Sequence, residues 1–185
     1  RLIALEDRLL ALPAVIASLE SASDAETAGD LSAAVAAART ATGADPDHKR
    51  AAARLSELTA KLTQAQFTDA MTAGYGAMAG SAFDAAETAF RKAGRLISGA
   101  PEPAAALVEL DQARTQAKLL TLKDQGALAE REERWPDAVE LYEQALAIDA
   151  LILFATEGFA RSQPRAELDA RLEKIPEERD RLIDA

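Results

Sequence analysis

Apolar positions along this chain advance by three and four residues, the spacing that places side chains on one face of an α-helix. Near the N-terminus Leu2, Leu5, Leu9, Leu12, Ile16 and Leu19 form a heptad-like seam, with Pro13 inside it predicting a kink or a restart. Leu55, Leu58 and Leu62, and later Leu107 and Leu110, continue such steps within stretches free of strong breakers, Lys49 to Ala79 and Pro103 to Arg131. Each stretch predicts a helix of about 29 residues, ~44 Å long. Turn signals fall between helices, as GADPD at 43–47 and GAPEP at 99–103, and Pro103 suits a first helical turn.

Three shorter segments superimpose without a gap: LSAAVAAARTA from Leu31, FDAAETAFRKA from Phe83 and WPDAVELYEQA from Trp135, 52 residues apart both times. Leu31, Phe83 and Trp135 share a bulky start, followed by Ala34, Ala86 and Ala138, then Ala38, Phe90 and Tyr142, then Ala41, Ala93 and Ala145. The offsets of three, four and three predict short amphipathic helices of about 11–15 residues. Upstream, Ala22, Gly74 and Gly126 recur at the same 52-residue step, which predicts close approach of helix to helix.

This pattern resembles the tetratricopeptide family, which places a small residue on its first helix and a small residue, an aromatic and an alanine on its second. The third unit carries Leu122, Gly126, Ala138, Tyr142 and Ala145, and the second carries Gly74, Ala86, Phe90 and Ala93. The first unit keeps Ala34, Ala41 and Pro46 but has Ala38 where an aromatic is usual. The family repeats every 34 residues or so. The excess here is about five whole turns, which lengthens a helix without rotating its buried face.

The expected fold is therefore all-α, with hairpin repeats whose first helices are extended, stacked as an elongated α-solenoid. The repeat region is 1–163, in units of approximately 13–63, 66–117 and 118–163. Residues 164–185 are expected to form a C-terminal cap, Arg165–Lys174 followed by a last piece opened by Pro176, Glu177 and Glu178. Breaks near Thr63–Gln66 and Thr115–Ala117 would instead make extra hairpins, but neither stretch contains Gly or Pro.

Composition sharpens this picture. Alanine fills 45 positions and aromatics only 4%, so the interior must rest on close helix contacts. A net charge of −10 and a pI near 4.7 argue against nucleic acid as a partner. The charge is uneven, −5 over 1–48, +3 over 49–100 and −8 over 101–185. With no cysteine, neither a disulfide nor a thiolate metal site can form. No apolar run approaches the ~20 residues of a membrane span, so insertion of this segment is not expected. The chain begins at Arg1 and leaves room for a removed signal, tag or anchor, so cytoplasm and periplasm both stay open.

Catalytic chemistry finds no constellation. His48, the one histidine, lies in DPDHK between helices and reads as an exposed linker residue; Asp45 and Asp47 beside it lack the ligand spacing of a calcium loop. No serine among Ser18, Ser56 and Ser98 is brought recognisably to His48. GYGAMAG at 74–80 has neither GK[ST] nor a preceding strand. Glu132 and Glu133 are ordinary in a chain with 31 acidic residues. No cofactor and no metal are expected.

The tetratricopeptide resemblance implies a groove lined by the first helix of each hairpin. That places Met71, Tyr75 and Met78 in the second unit and Lys123, Ala127, Glu130 and Arg131 in the third, facing a peptide or protein partner. Methionine and tyrosine offer adaptable apolar contact with a polar handle. A competing reading puts Met71 and Met78 in the core. Only Lys123 matches the family's carboxylate clamp, so that activity is not expected. The function implied is a non-catalytic interaction scaffold. The alternative is a helical spacer, or a periplasmic domain of a larger anchored protein, with no ligand groove.

Overall fold

Seven helices joined by short turns make up the described residues: α1 (Leu2–Thr27), α2 (Leu31–Ala44), α3 (Lys49–Ala79), α4 (Phe83–Leu96), α5 (Pro101–Arg131), α6 (Trp135–Ile148) and α7 (Leu153–Ile183). The computed structural model describes the backbone of residues 2–183 and side-chain surroundings over 6–175. No strand occurs among the described residues, and the fold is all-α. The 52-residue period of the sequence is a period of the structure. Helices α3, α5 and α7 are each 31 residues long, α2, α4 and α6 each 14, and like helices start 52 residues apart.

The turn after each of α1, α3 and α5 has one design. Gly29, Ser81 and Glu133, again 52 apart, take φ of 82°, 59° and 58°. In each turn the next residue's N–H reaches back to a helix carbonyl: Asp30 to Ala25 at 2.9 Å, Ala82 to Ala77 at 2.8 Å and Arg134 to Ala129 at 2.9 Å. This left-handed cap satisfies carbonyls that the helix end leaves open and reverses the chain. Asp30 then caps α2 by accepting from the Ala33 N–H at 2.8 Å.

Four local expectations need correction. Gly43 and Ala44 finish α2, so the turn narrows to residues 45–48. His48 is not a linker residue but the N-cap of α3, its Nδ1 accepting from the Ala51 N–H at 3.1 Å. Helix α1 passes through Pro13 without a restart. Likewise α7 runs through Pro164 and Pro176 as one helix, so 164–183 is not a separate cap opened at Pro176. Each proline removes one backbone hydrogen bond but has a helix-compatible φ. The long segments also continue unbroken through Thr63–Gln66 and Thr115–Ala117.

The N-terminal seam is corrected in part: Leu19 does pack against Val15, Ala41 and Ala51, but Leu9, Leu12 and Ile16 before it do not. Leu9, Leu12 and Ile16 are 71%, 40% and 48% exposed, while Val15 and Ala22 on the adjoining face are fully buried. Helix α2 presents Ala34, Ala38 and Ala41, and an alanine surface is approached most closely by small or short-branched side chains. Leu2 and Leu5 lie outside the described side chains.

The chain divides into two compact units, Arg1–Val108 and Glu109–Ala185. In the first, Val15, Ala41 and Ala51 join α1, α2 and α3 at one level, and Ala22, Ala34, Val35, Ala38 and Leu58 join them at the next. Beyond, Phe90 of α4 covers Gly74 of α3 so closely that a Cβ there would lie 2.3 Å from the ring. In the second unit Leu122 and Ala129 of α5, Ala138, Tyr142 and Ala145 of α6 and Ala155 of α7 form the core. Tyr142 is 2% exposed and lies between two glycines, where added Cβ atoms would come within 2.7 Å at Gly126 and 2.3 Å at Gly158.

Candidate functional site

In the first compact unit Met71 and Met78 stand three residues before and four after Gly74, and with Tyr75 between them they lie on one flank of the contact between α3 and α4. Tyr75 is 41% exposed, and its ring meets Phe90 edge-on with centroids 5.1 Å apart. Met71 and Met78 are half-buried. The result is an aromatic rooted on the core with part of its surface outside, flanked by two thioethers. On the opposite flank of Gly74, Ala70, Ala73, Ala85 and Ala89 line a shallow groove of about 640 Å³ with Asp69 and Lys92 at its edges.

In the second unit Lys123, Ala127 and Arg131 are exposed on α5. Arg131 turns back along its own helix, Nε donating to the Ala127 carbonyl at 3.3 Å. Glu130 departs from expectation and is not an open groove residue. It accepts from the Ser162 hydroxyl at 2.9 Å and from Arg161 at 3.3 Å, with its side chain only 19% exposed. Its carboxylate ties α5 to α7, because Ser162 is wholly buried and its hydroxyl needs a partner there. Burial pushes the nearby Tyr142 hydroxyl above the usual tyrosine range, and the Glu130 charge acts in the same direction.

The register explains Glu130 and reveals a group that motif reading missed. Residues 26, 78 and 130 are 52 apart, in the last turn of α1, α3 and α5. Glu26 binds Arg54 and Lys61 of α3, the lysine at 2.7 Å, and Glu57 closes the cluster by pairing with both cations. Hydrogen bonds from Lys61 and then Arg54 hold the Glu26 carboxyl below the usual range. This position is thus a clasp to the following long helix wherever it is a glutamate. Repeating the alignment one turn past Gly74 would have found it. Met78 occupies the same register, which favours the packing reading for that residue.

Chemistry is sparse among the described residues. No group of three or more metal-ligating side chains converges, and no helix is long and apolar enough to cross a membrane. The ring of Trp135 takes the guanidinium of Arg165 over its face at 4.8 Å, a brace from α7 to the start of α6. In comparisons with known proteins, no family model, no curated protein and no solved structure matches this chain.

Proposed function

We propose that this chain is a non-catalytic interaction scaffold of tetratricopeptide-like character, which holds a peptide or protein partner against the exposed side of its long helices. The observation that carries this reading is Tyr75, rooted edge-on on Phe90 yet 41% exposed between Met71 and Met78. A rigid aromatic with little entropy left to lose and adaptable thioethers beside it suits recognition of an apolar peptide face. In the second unit Lys123 and Ala127 supply a smaller, more polar patch. Glu130 supports that patch from behind by holding α5 to α7.

Capture from the native host with a photocrosslinker at position 75 tests this reading. A defined protein partner that is lost on Tyr75→Ser and weakened by Lys123→Glu, with helicity retained in both variants, is the expected result. Reproducible recovery of no protein, or binding indifferent to Tyr75→Ser and Lys123→Glu, would leave the spacer reading in its place.

A further inference from the structure

A cleft of about 380 Å³ lies between α1 and α3 in the first compact unit, lined by Leu19 and Ser23 from one helix and Arg50, Ala53, Arg54 and Glu57 from the other. Leu19 and Ser23 stand 52 residues before Met71 and Tyr75, so the cleft is the first-repeat counterpart of the Tyr75 patch. Where the second repeat carries a ring, the first carries only a hydroxyl.

Most of the charge around the cleft is already paired. Arg54 donates to Glu57 at 2.9 Å and to Glu26, and Lys61 reaches both carboxylates at 2.7 Å. Hydrogen bonds from Lys61 and then Arg54 hold the Glu57 carboxyl, like that of Glu26, below the usual range, so both stay ionised at neutral pH. Two cations and two carboxylates cancel. Arg50 is the remainder. Its exposed guanidinium has no ion-pair or hydrogen-bond partner among the described residues, and neither has the Ser23 hydroxyl on the other wall. The cation belongs to the first repeat alone, since its counterparts 52 and 104 residues on are Glu102 and Phe154.

These groups define a ligand. One uncompensated positive charge, a free hydroxyl and two apolar side chains, Leu19 and Ala53, fit a single carboxylate carried beside an apolar group. The guanidinium fork takes a carboxylate through two parallel N–H donors. A phosphate dianion would bring a second negative charge toward Glu57 with no cation left to meet it. One exposed ion pair changes affinity by only about fivefold. The charge therefore selects the partner, and apolar contact holds it.

We propose that this cleft seats one aspartate or glutamate side chain of a peptide partner, its carboxylate on Arg50 and Ser23 and an adjoining apolar side chain on Leu19 and Ala53; this rests on the peptide-holding role proposed above and gives the first repeat its selectivity.

Short random peptides selected on the intact 185-residue chain supply the probe, and fluorescence anisotropy of a selected peptide reads the effect. The selected sequences should be enriched in an acidic residue beside an apolar one. Arg50→Glu should weaken the peptide by about tenfold, and replacing the peptide's acidic residue by lysine should restore binding to that variant. An acidic residue suits the first turn of a helix, so Arg50→Glu leaves α3 folded. Ser23→Tyr, which puts the second repeat's ring into the cleft, should block the same peptide. Selected peptides that carry no acidic preference, or that are lost on Tyr75→Ser yet indifferent to Arg50→Glu, would overturn the acidic seat and leave the scaffold standing. Recovery of no peptide would overturn both. Displacement by inorganic phosphate more readily than by acetate at equal ionic strength would also overturn the carboxylate assignment.

Discussion

The first and third repeats use one backbone plan and fill it in opposite ways. In the first, the centre of the short helix is Ala38, facing Ala22 of α1, and the register position on α3 is Arg54, whose guanidinium reaches the rim to meet Glu26. In the third, the centre is Tyr142, and both facing positions, Gly126 on α5 and Gly158 on α7, have lost their side chains. Glycine is a poor helix former, and two of them in long helices are explained by the ring they admit. What the repeat preserves is the filled volume between three helices, while the identity of the residue that supplies it moves from one helix to another. The second repeat lies between these, with Phe90 over Gly74 and a fully buried Ala106 on α5.

Replacing the central residue should break this comparison most severely. Tyr142→Ala is expected to cost about 3–5 kcal/mol, because removing the ring opens a cavity between two glycines that have no side chains of their own to fill it. Ala38→Gly should cost only about 1 kcal/mol, the helix-propensity difference. Urea denaturation of both variants measures the contrast, and equal losses would mean that the two repeats are not packed on opposite principles. Trp135→Ala should fall well below Tyr142→Ala, because the indole is only half-buried and braced by Arg165.

A sharper and smaller effect lies in the glycines. Gly158→Ala should destabilise by about 1–3 kcal/mol in the parent, where its Cβ would strike the Tyr142 ring. In a Tyr142→Ala background the same change should stabilise, by the ~1 kcal/mol that alanine gains over glycine in a helix. The reversal of sign in this double-mutant cycle is the observation that matters. Additive losses would show that the glycine serves the backbone and not the ring.

The smallest expected change concerns the left-handed turn residues. Gly29 carries its positive φ without strain, whereas Ser81 and Glu133 hold theirs against a Cβ. Ser81→Gly and Glu133→Gly should each raise stability by roughly 0.5–1 kcal/mol, and Gly29→Ala should lower it by a similar amount. Thermal melts that leave all three unchanged would mean that these turns relax out of the left-handed region.

Periodicity alone was enough to foresee helices throughout, the 52-residue repeat, the close approach of helices at Gly74 and Gly126, and the continuity of the long helices; that the approaching groups are the rings of Phe90 and Tyr142 came from the structure. These follow from residue size and spacing, which are local properties of the chain. Tertiary structure decided the rest. The α1 seam reads as a core stripe because leucines at heptad spacing can bury, yet α2 offers an alanine surface that selects Val15 and Ala22 and leaves Leu9, Leu12 and Ile16 outside. Glu130 reads as a groove residue until α7 brings Ser162 and Arg161 to it, and His48 reads as a linker until α3 begins beside it. Which apolar face is covered, and whether a polar group is spent inside the fold or left for a partner, depends on contacts between residues some 30 positions apart. Spacing along one helix carries no information about those contacts.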